Sequence, residues 1–196
     1  GGQATGDIER SRDEDWFKIY LQADSIYVFE LLGTESDGGS LGSIGFWATP
    51  YLNLKDSEGK YLRSAYTGGD SGDPKLSFAP ATSGYYFLSA SEMWGVGTGT
   101  YTLKASISTI SDDYANTVAT KATVDIGGQT SGNIEIPYDQ DWFKVTLTAG
   151  TSYVFEILTN GTGGGALGGA SGEHPKLDLF EAWNYGSPKQ SATAGG

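Results

Sequence analysis

The sequence predicts an all-β fold, an antiparallel jelly-roll β-sandwich in tandem copies with the second copy incomplete. Three observations predict it. First, the chain repeats: GGQATGDIERSRDEDWFKIYLQADSIYVFELL at 1–32 returns as GGQTSGNIEIPYDQDWFKVTLTAGTSYVFEIL at 127–158, identical at 18 of 32 positions with a constant offset of 126. A period this long signals tandem domains rather than a solenoid of short units. Second, the apolar residues alternate with polar ones at a period of two, as half-buried strands require. Third, turn residues separate these runs at short, regular spacing, the pattern of an antiparallel sandwich or jelly roll. Helical periodicity is absent.

In the first copy the strands read in order as 16–21, 26–31, 51–55, 76–78, 85–90 and 100–107. Phe17, Ile19 and Leu21 alternate with Lys18 and Tyr20, and Tyr101, Leu103, Ala105 and Ile107 with Thr102, Lys104 and Ser106. Asp56-Ser57-Glu58-Gly59 is a hairpin loop closing on a left-handed glycine, and Thr82-Ser83-Gly84 opens the next strand. Phe17, Ile19, Phe29, Leu52, Leu54 and Leu103 are the expected core. Trp16 and Trp142 hold equivalent strand positions and read as packing residues.

The organisation follows: 1–107 as one sandwich, 108–123 (STISDDYANTVATKAT) as a polar linker, and 124–196 as the N-terminal part of a second sandwich. SATAGG (191–196) lines up with SAYTGG (64–69), so the second unit is expected to lack the part matching 70–107 and to show early strands through about Phe180. Residues 122–126 are expected to form the first strand of the second copy. The first copy has no counterpart to them, so its own first strand is expected to come from elsewhere. Phe155, Ile157, Leu177 or Leu179 should be left uncovered, and the half-domain completed by other domains of the same large protein, by a second chain or by strand exchange. An inserted module and a truncation explain the pattern equally simply.

Hydrophobic residues make up 38% and aromatics 13% of the 196 residues, enough for a packed core. Asp and Glu number 24 against 12 Lys and Arg, a net charge of −12. Nucleic acid and anionic membranes require clustered cations, so this balance argues against both. The chain has no cysteine, hence no disulfide framework and no cysteine-based zinc site. No apolar run reaches the ~18 residues of a membrane span. No signal peptide is visible, and the opening Gly1-Gly2 reads as that of a mature fragment.

The combination of Asp15-Trp16-Phe17-Lys18-Ile19, Tyr27-Val28-Phe29, Ser83-Gly84-Tyr85-Tyr86 and Gly97-Thr98-Gly99-Thr100-Tyr101-Thr102-Leu103 resembles the bacterial pre-peptidase C-terminal (PPC) domain. The resemblance spans nearly all of the first copy and the early part of the second. It implies a jelly-roll sandwich of the kind found beside secreted peptidases and in large repeat adhesins, with the collagen-binding domains of clostridial collagenases as relatives. It further implies calcium, held between an acidic linker and the loop before the Asp-aromatic-aromatic strand. On this chain the implied ligands are Asp112, Asp113 and Asn116 of the linker with Asp139 and Asp141 of the loop. The match to the family's linker pattern is partial: Tyr114 stands for the second acid and Thr117 for the last Asp, and Asp139 is one place from the expected position. Calcium takes six to eight oxygens, which carboxylates, carbonyls and water here could supply. The competing reading is that Asp112 and Asp113 are solvated linker charges and Asp139 an ordinary turn residue.

Two catalytic look-alikes fail on their own requirements. Gly69-Asp70-Ser71-Gly72-Asp73-Pro74 is one residue from GDSGGP, but a triad needs a base beside Ser71. His174 is the one histidine, and it follows the serine in a polar loop where a solvated side chain is expected. Gly38-Gly39-Ser40-Leu41-Gly42 spells Gly-x-Ser-x-Gly without the strand-turn-helix that motif needs. Trp47, Trp94, Trp183 and Tyr185 lie in loops, where they cap the open end of a sandwich or stack on a ligand. The sequence thus points to a non-catalytic module, secreted or at the cell surface, that spaces or presents a binding domain. The alternative is a module binding collagen-like peptide or glycan.

Overall fold

The computed structural model describes residues 1–23, 25–42, 49–66, 72–167, 174–184 and 186–193. The described residues hold ten β-strands, short 3-10 turns and no α-helix: β1 Gly2–Ile8, β2 Glu14–Leu21, β3 Tyr27–Leu32, β4 Pro50–Lys55, β5 Tyr61–Tyr66, β6 Lys75–Phe78, β7 Gly84–Glu92, β8 Gly99–Ile107, β9 Lys176–Leu179 and β10 Gln190–Thr193. The first eight form two four-stranded antiparallel sheets, ordered β1-β8-β3-β6 and β2-β7-β4-β5. The protein is therefore all-β, as its patterning predicts. No described helix is long and apolar enough to cross a membrane.

The core lies between the two sheets. Ile8, Phe29, Leu31, Tyr101 and Leu103 face it from one side, and Leu21, Leu52, Leu54, Leu88 and Ala90 from the other, all buried. Phe17 and Ile19 pack against this cluster while partly exposed. Alternation along each strand carries the outward residues to solvent, which is why β3 reads buried at every second position. The β4–β5 turn forms as its residues dictate: Asp56 Oδ1 accepts from the amides of Glu58 and Lys60, both 2.9 Å, and Gly59 turns the chain at φ 81°.

Two strands were hidden by their composition. β1 (GQATGDI) has little apolar alternation, and β5 (YLRSAY) little burial. β1 was not among the expected strands: it pairs with β8 from Gly2↔Ala105 to Ile8↔Gly99, and its repeat counterpart is 128–134. Residues 122–126, expected as the first strand of the second copy, are not a full strand. They make one parallel bridge, Thr123↔Lys144, flanked by Val124 N to Lys144 O (3.0 Å) and Lys144 N to Ala122 O (2.9 Å).

Within 127–193 the strand pattern of the first copy recurs only in part among the described residues. The twins of β1, β2 and β3, at 128–134, 140–147 and 153–158, form no strands. In the first unit β2 pairs with β7 alone, β1 with β8 alone, and β3 with β6 and β8. All these partners come from the part of the repeat that 127–193 does not contain. The one hairpin with local partners, β4–β5, does reappear as β9–β10, paired from Gln190↔Leu179 to Thr193↔Lys176. The expected early strands through Phe180 thus reduce to this hairpin.

Trp16 also departs from expectation. Pairing with Ser89 places it on the outer face of the β2-β7-β4-β5 sheet, where it is 46% exposed. Lys55 Nζ lies 3.7 Å from its ring centroid and Phe87 packs beside it at 5.6 Å. Its twin Trp142 stacks on Phe180 at 5.2 Å.

Candidate cation site

The acidic loop before β2 occurs twice, as Glu9…Asp13-x-Asp15 and Glu135…Asp139-x-Asp141, and it is built identically each time. The amide of Glu9 donates to Asp13 Oδ2 (3.3 Å), and that of Glu135 to Asp139 Oδ2 (3.2 Å). A backbone bond closes each turn, Asp13 N to Arg10 O and Asp139 N to Ile136 O, both 3.1 Å. Arg12 and Tyr138 take the same left-handed conformation, at φ 64° and 69°. These local bonds explain why the loop survives in the second copy while the strands around it do not.

What differs is the company the two loops keep. In the second, the linker brings Asp112 alongside, and one carboxylate oxygen from each of Asp112, Glu135, Asp139 and Asp141 lies within 4.8 Å of the others. Asp113 Oδ2 accepts from the amide of Asn133 at 3.1 Å, tying linker to loop. Asn133 Nδ2 donates to Glu135 Oε1 at 3.2 Å, yet Glu135 Oε2 and Asp141 Oδ1 are buried and accept no hydrogen bond from the described residues. Burial, the hydrogen bond that the protonated carboxyl donates to Asp139 and the nearby Asp113 charge push Glu135 up to about 7. Burial and then the charges of Asp113, Asp139, Glu135 and Asp112 push Asp141 up to about 7 as well. Like charges held this close raise one another's proton affinity.

Of the expected ligands, the structure brings together Asp112, Asp139 and Asp141, sets Asp113 at the border, and leaves Asn116 half-buried on the same linker. Glu135 was missed. The signal for it was in the repeat, because Glu9 and Glu135 are aligned identities. The donor set is all oxygen with two carboxylate atoms lacking donors, which fits a hard divalent cation such as Ca2+ and not a soft one. Gly132 makes room for it: a Cβ there would lie 2.4 Å from Asp141 Oδ2 and 3.2 Å from the Tyr114 ring.

The loop docks on the first unit. Ile136 is buried with Ile26 and Ala79. Arg63 of β5 donates from Nη1 to Pro137 O (2.8 Å) and from Nη2 to Tyr138 O (3.4 Å), with its guanidinium 5.0 Å from the Tyr138 ring centroid.

Neither a protein-family model nor a curated protein matches the chain. Among solved structures, the chain is similar to PliG of Aeromonas hydrophila, a periplasmic inhibitor of g-type lysozyme, at 14% identity over 55% of this chain and 85% of that one, TM-score 0.39. It is also similar to the pre-peptidase C-terminal domain of collagenase from Bacillus anthracis, at 14% identity over 54% of this chain and 88% of that one, TM-score 0.40. A PPC domain is thus a structural neighbour of this chain.

The remaining sequence candidates are placed as follows. Trp94 and Trp183 are exposed, while Trp47 and Tyr185 lie outside the described residues. The Trp94 loop is held by buried Glu92, which accepts from the amides of Trp94 (2.9 Å), Val96 (2.7 Å) and Gly97 (3.1 Å). Ser40 Oγ is engaged as a loop fastener, accepting from the Thr100 amide at 3.0 Å. Ser71 lies outside the described residues, and His174 is exposed. Asp73, from the same motif, accepts from the Gly33 amide at 2.8 Å.

Proposed function

We propose that this chain is a non-catalytic, extracellular β-sandwich module of a large secreted or surface bacterial protein, stabilised by calcium, whose task is to space or present a neighbouring domain. The carboxylate cluster of Asp112, Glu135, Asp139 and Asp141 carries this reading. These four groups come from the linker and from the loop docked on the first unit, so a bound cation would tie the linker to a surface already fixed by Arg63 and Ile136. Calcium would supply charge neutralisation and cross-linking there; the chain's own residues supply the oxygens and the frame. Calcium binding to the folded state stabilises it by mass action. Melting followed in calcium and in chelator tests the reading: a higher melting temperature in calcium supports it, and superimposable curves reject it.

The second reading, a module for collagen-like peptide or glycan, is favoured by the outer face of the β2-β7-β4-β5 sheet rather than by the loops. Trp16, Tyr20, Tyr61, Tyr66 and Tyr85 are each about half exposed there, around a polar strip where Asn53 Nδ2 donates to Ser89 Oγ at 3.3 Å. Exposed rings beside amide and hydroxyl groups suit stacking on sugars or extended peptide. Tryptophan fluorescence titrated with peptide and glycan panels tests it, with an unchanged spectrum counting against it.

A further inference from the structure

The turn that follows β3 occurs twice, and the two copies are built alike. In the first unit Thr34 N donates to Leu41 O at 3.0 Å and Gly38 N to Gly33 O at 2.8 Å. The aligned bonds in the second are Asn160 N to Leu167 O at 2.9 Å and Gly164 N to Thr159 O at 2.8 Å. Each turn is a 3-10 segment closing on a left-handed residue, Asp37 at φ 54° and Gly163 at φ 76°. Thr34 is exposed within the eight-stranded first unit, so the exposure of its twin Asn160 belongs to the turn itself.

The chemistry of the two turns differs. Asn160 is followed by Gly161, whereas Asn53, Asn116, Asn133 and Asn184 precede Leu54, Thr117, Ile134 and Tyr185. Glycine carries no side chain to screen its amide nitrogen from the neighbouring carboxamide carbon. Gly161 is exposed, and a Cβ there would meet nothing within 4 Å. Its N–H lies in the first turn of the 3-10 segment and has no acceptor among the described residues. The first unit holds a comparable pair, Asp37-Gly38, but that pair is pinned. Gly38 N is bonded to Gly33 O, and Gly38 O accepts from Thr102 Oγ1 at 2.8 Å. A Cβ on Gly38 would lie 2.3 Å from Leu32 Cβ. Leu41 N, donating to Thr100 O at 2.9 Å, fastens the rest of that turn to β8.

We propose that Asn160-Gly161 is a site of spontaneous covalent modification in the folded protein, where the asparagine converts through a cyclic imide to aspartate and isoaspartate. The Gly161 nitrogen, having lost its proton to hydroxide, attacks Asn160 Cγ. The new N–Cγ bond forms, the Cγ–Nδ2 bond breaks, and the side-chain nitrogen leaves as ammonia. Water then opens the ring, at Cγ to give aspartate or at the main-chain carbonyl to give isoaspartate. Either product adds a negative charge to the turn. Isoaspartate also routes the main chain through Cβ and Cγ, one atom longer. The bonds from Asn160 N to Leu167 O and from Gly163 N to Asn160 O (3.4 Å) then lose their register.

The test incubates the unaltered chain at pH 8, folded and in denaturant, and follows the peptide containing Asn160 by mass spectrometry and by isoaspartate assay. Exposed turns open locally at little cost. Conversion in the folded chain is therefore expected within about tenfold of the denatured rate, a difference of about 1.4 kcal/mol at most. Asp37→Asn places the same Asn-Gly pair in the pinned turn. In the folded chain that position should convert about tenfold or more slowly than Asn160, and the difference should vanish in denaturant. Gly161→Ala should slow the conversion of Asn160 in both states. Retention of Asn160 in the folded chain while the denatured chain converts, equal rates at positions 37 and 160 in the folded Asp37→Asn chain, or an unchanged rate in Gly161→Ala would each overturn the proposal. The first comparison uses the unaltered chain, so it holds whether or not a variant folds.

Discussion

Arg63 reaches from β5 of the first unit to the backbone of the second, its Nη1 2.8 Å from Pro137 O. That bond, with the Tyr138 carbonyl and ring beside it, holds the acidic loop against the sandwich edge. Arg63 is partly desolvated there, which lowers its proton affinity, while Tyr138 and Asp139 oppose the shift. Arg63→Ala should free the loop at a cost of about 1 kcal/mol, the scale of one net hydrogen bond at a half-open site. Limited proteolysis should then cut near the linker sooner, with the first unit's exchange protection unchanged.

The duplication allows a mutation to be made twice in the same sequence context. Phe29→Ala should cost about 3–5 kcal/mol, because it opens a cavity in a closed core. Phe155→Ala, at the twin position with 36% exposure, should cost under about 1 kcal/mol. Denaturant unfolding of the two variants makes the comparison directly.

Tyr101→Phe removes the donor to Asp15 without changing the packing of the ring. Burial, followed by the hydrogen bond to Asp15, raises the Tyr101 hydroxyl well above the ordinary tyrosine range, so it stays protonated and donating at any working pH. The variant should lose about 1–3 kcal/mol, leaving the carboxylate short of a partner. Chemical denaturation at neutral pH measures it.

Proton linkage has a definite sign here. Glu135 and Asp141 titrate at about 7 in the folded protein, above an unfolded carboxylate value of about 4. The folded state then holds protons that the unfolded state has released. Cation-free stability should therefore be greatest below about pH 4 as far as these groups are concerned, fall as pH rises towards about 7, and level off beyond. Calcium needs the deprotonated groups, so its affinity should rise about ten- to hundredfold between pH 6 and pH 8. Melting with and without calcium at several pH values reads both trends.

Gly132→Ala should interfere with the cation site more than with the fold. Its Cβ would meet Asp141 Oδ2 and the Tyr114 ring, and one of them must move. The melting gain from calcium should shrink or vanish, while the melt of the first unit in chelator stays within about 1 kcal/mol of the unaltered protein.

Strand positions in the first unit were legible because a strand's side-chain period is local. Phe17, Ile19 and Leu21 declare their alternation within five residues. The β4–β5 turn was legible for the same reason, since Asp56 and Gly59 act on bonds a few residues away. Three of the four clustered carboxylates were reached through the resemblance to the PPC pattern, which implies ligands from an acidic linker and from the loop before the Asp-aromatic-aromatic strand. Glu135 was not, because its part depends on a turn that folds it back onto Asp139. Trp16 misled because neighbouring strand residues point to opposite faces, and an aromatic beside Phe17 must face away from the side Phe17 packs on.

The sequence by itself determined the all-β class, the duplication, the main core of the first unit and the acidic character of the junction, all properties of residues close together along the chain. Tertiary structure alone decided that β8 lies between β1 and β3, that Arg63 and Ile136 dock the second loop on the first unit, and that two nearly identical segments have different fates. Residues 14–21 and 27–32 are strands because β6, β7 and β8 lie beside them; 140–147 and 153–158 carry nearly the same side chains and are not strands. A helix closes its hydrogen bonds within itself, but a strand's bonds belong to its neighbours, so the same sequence can be a strand in one place and an open edge in another.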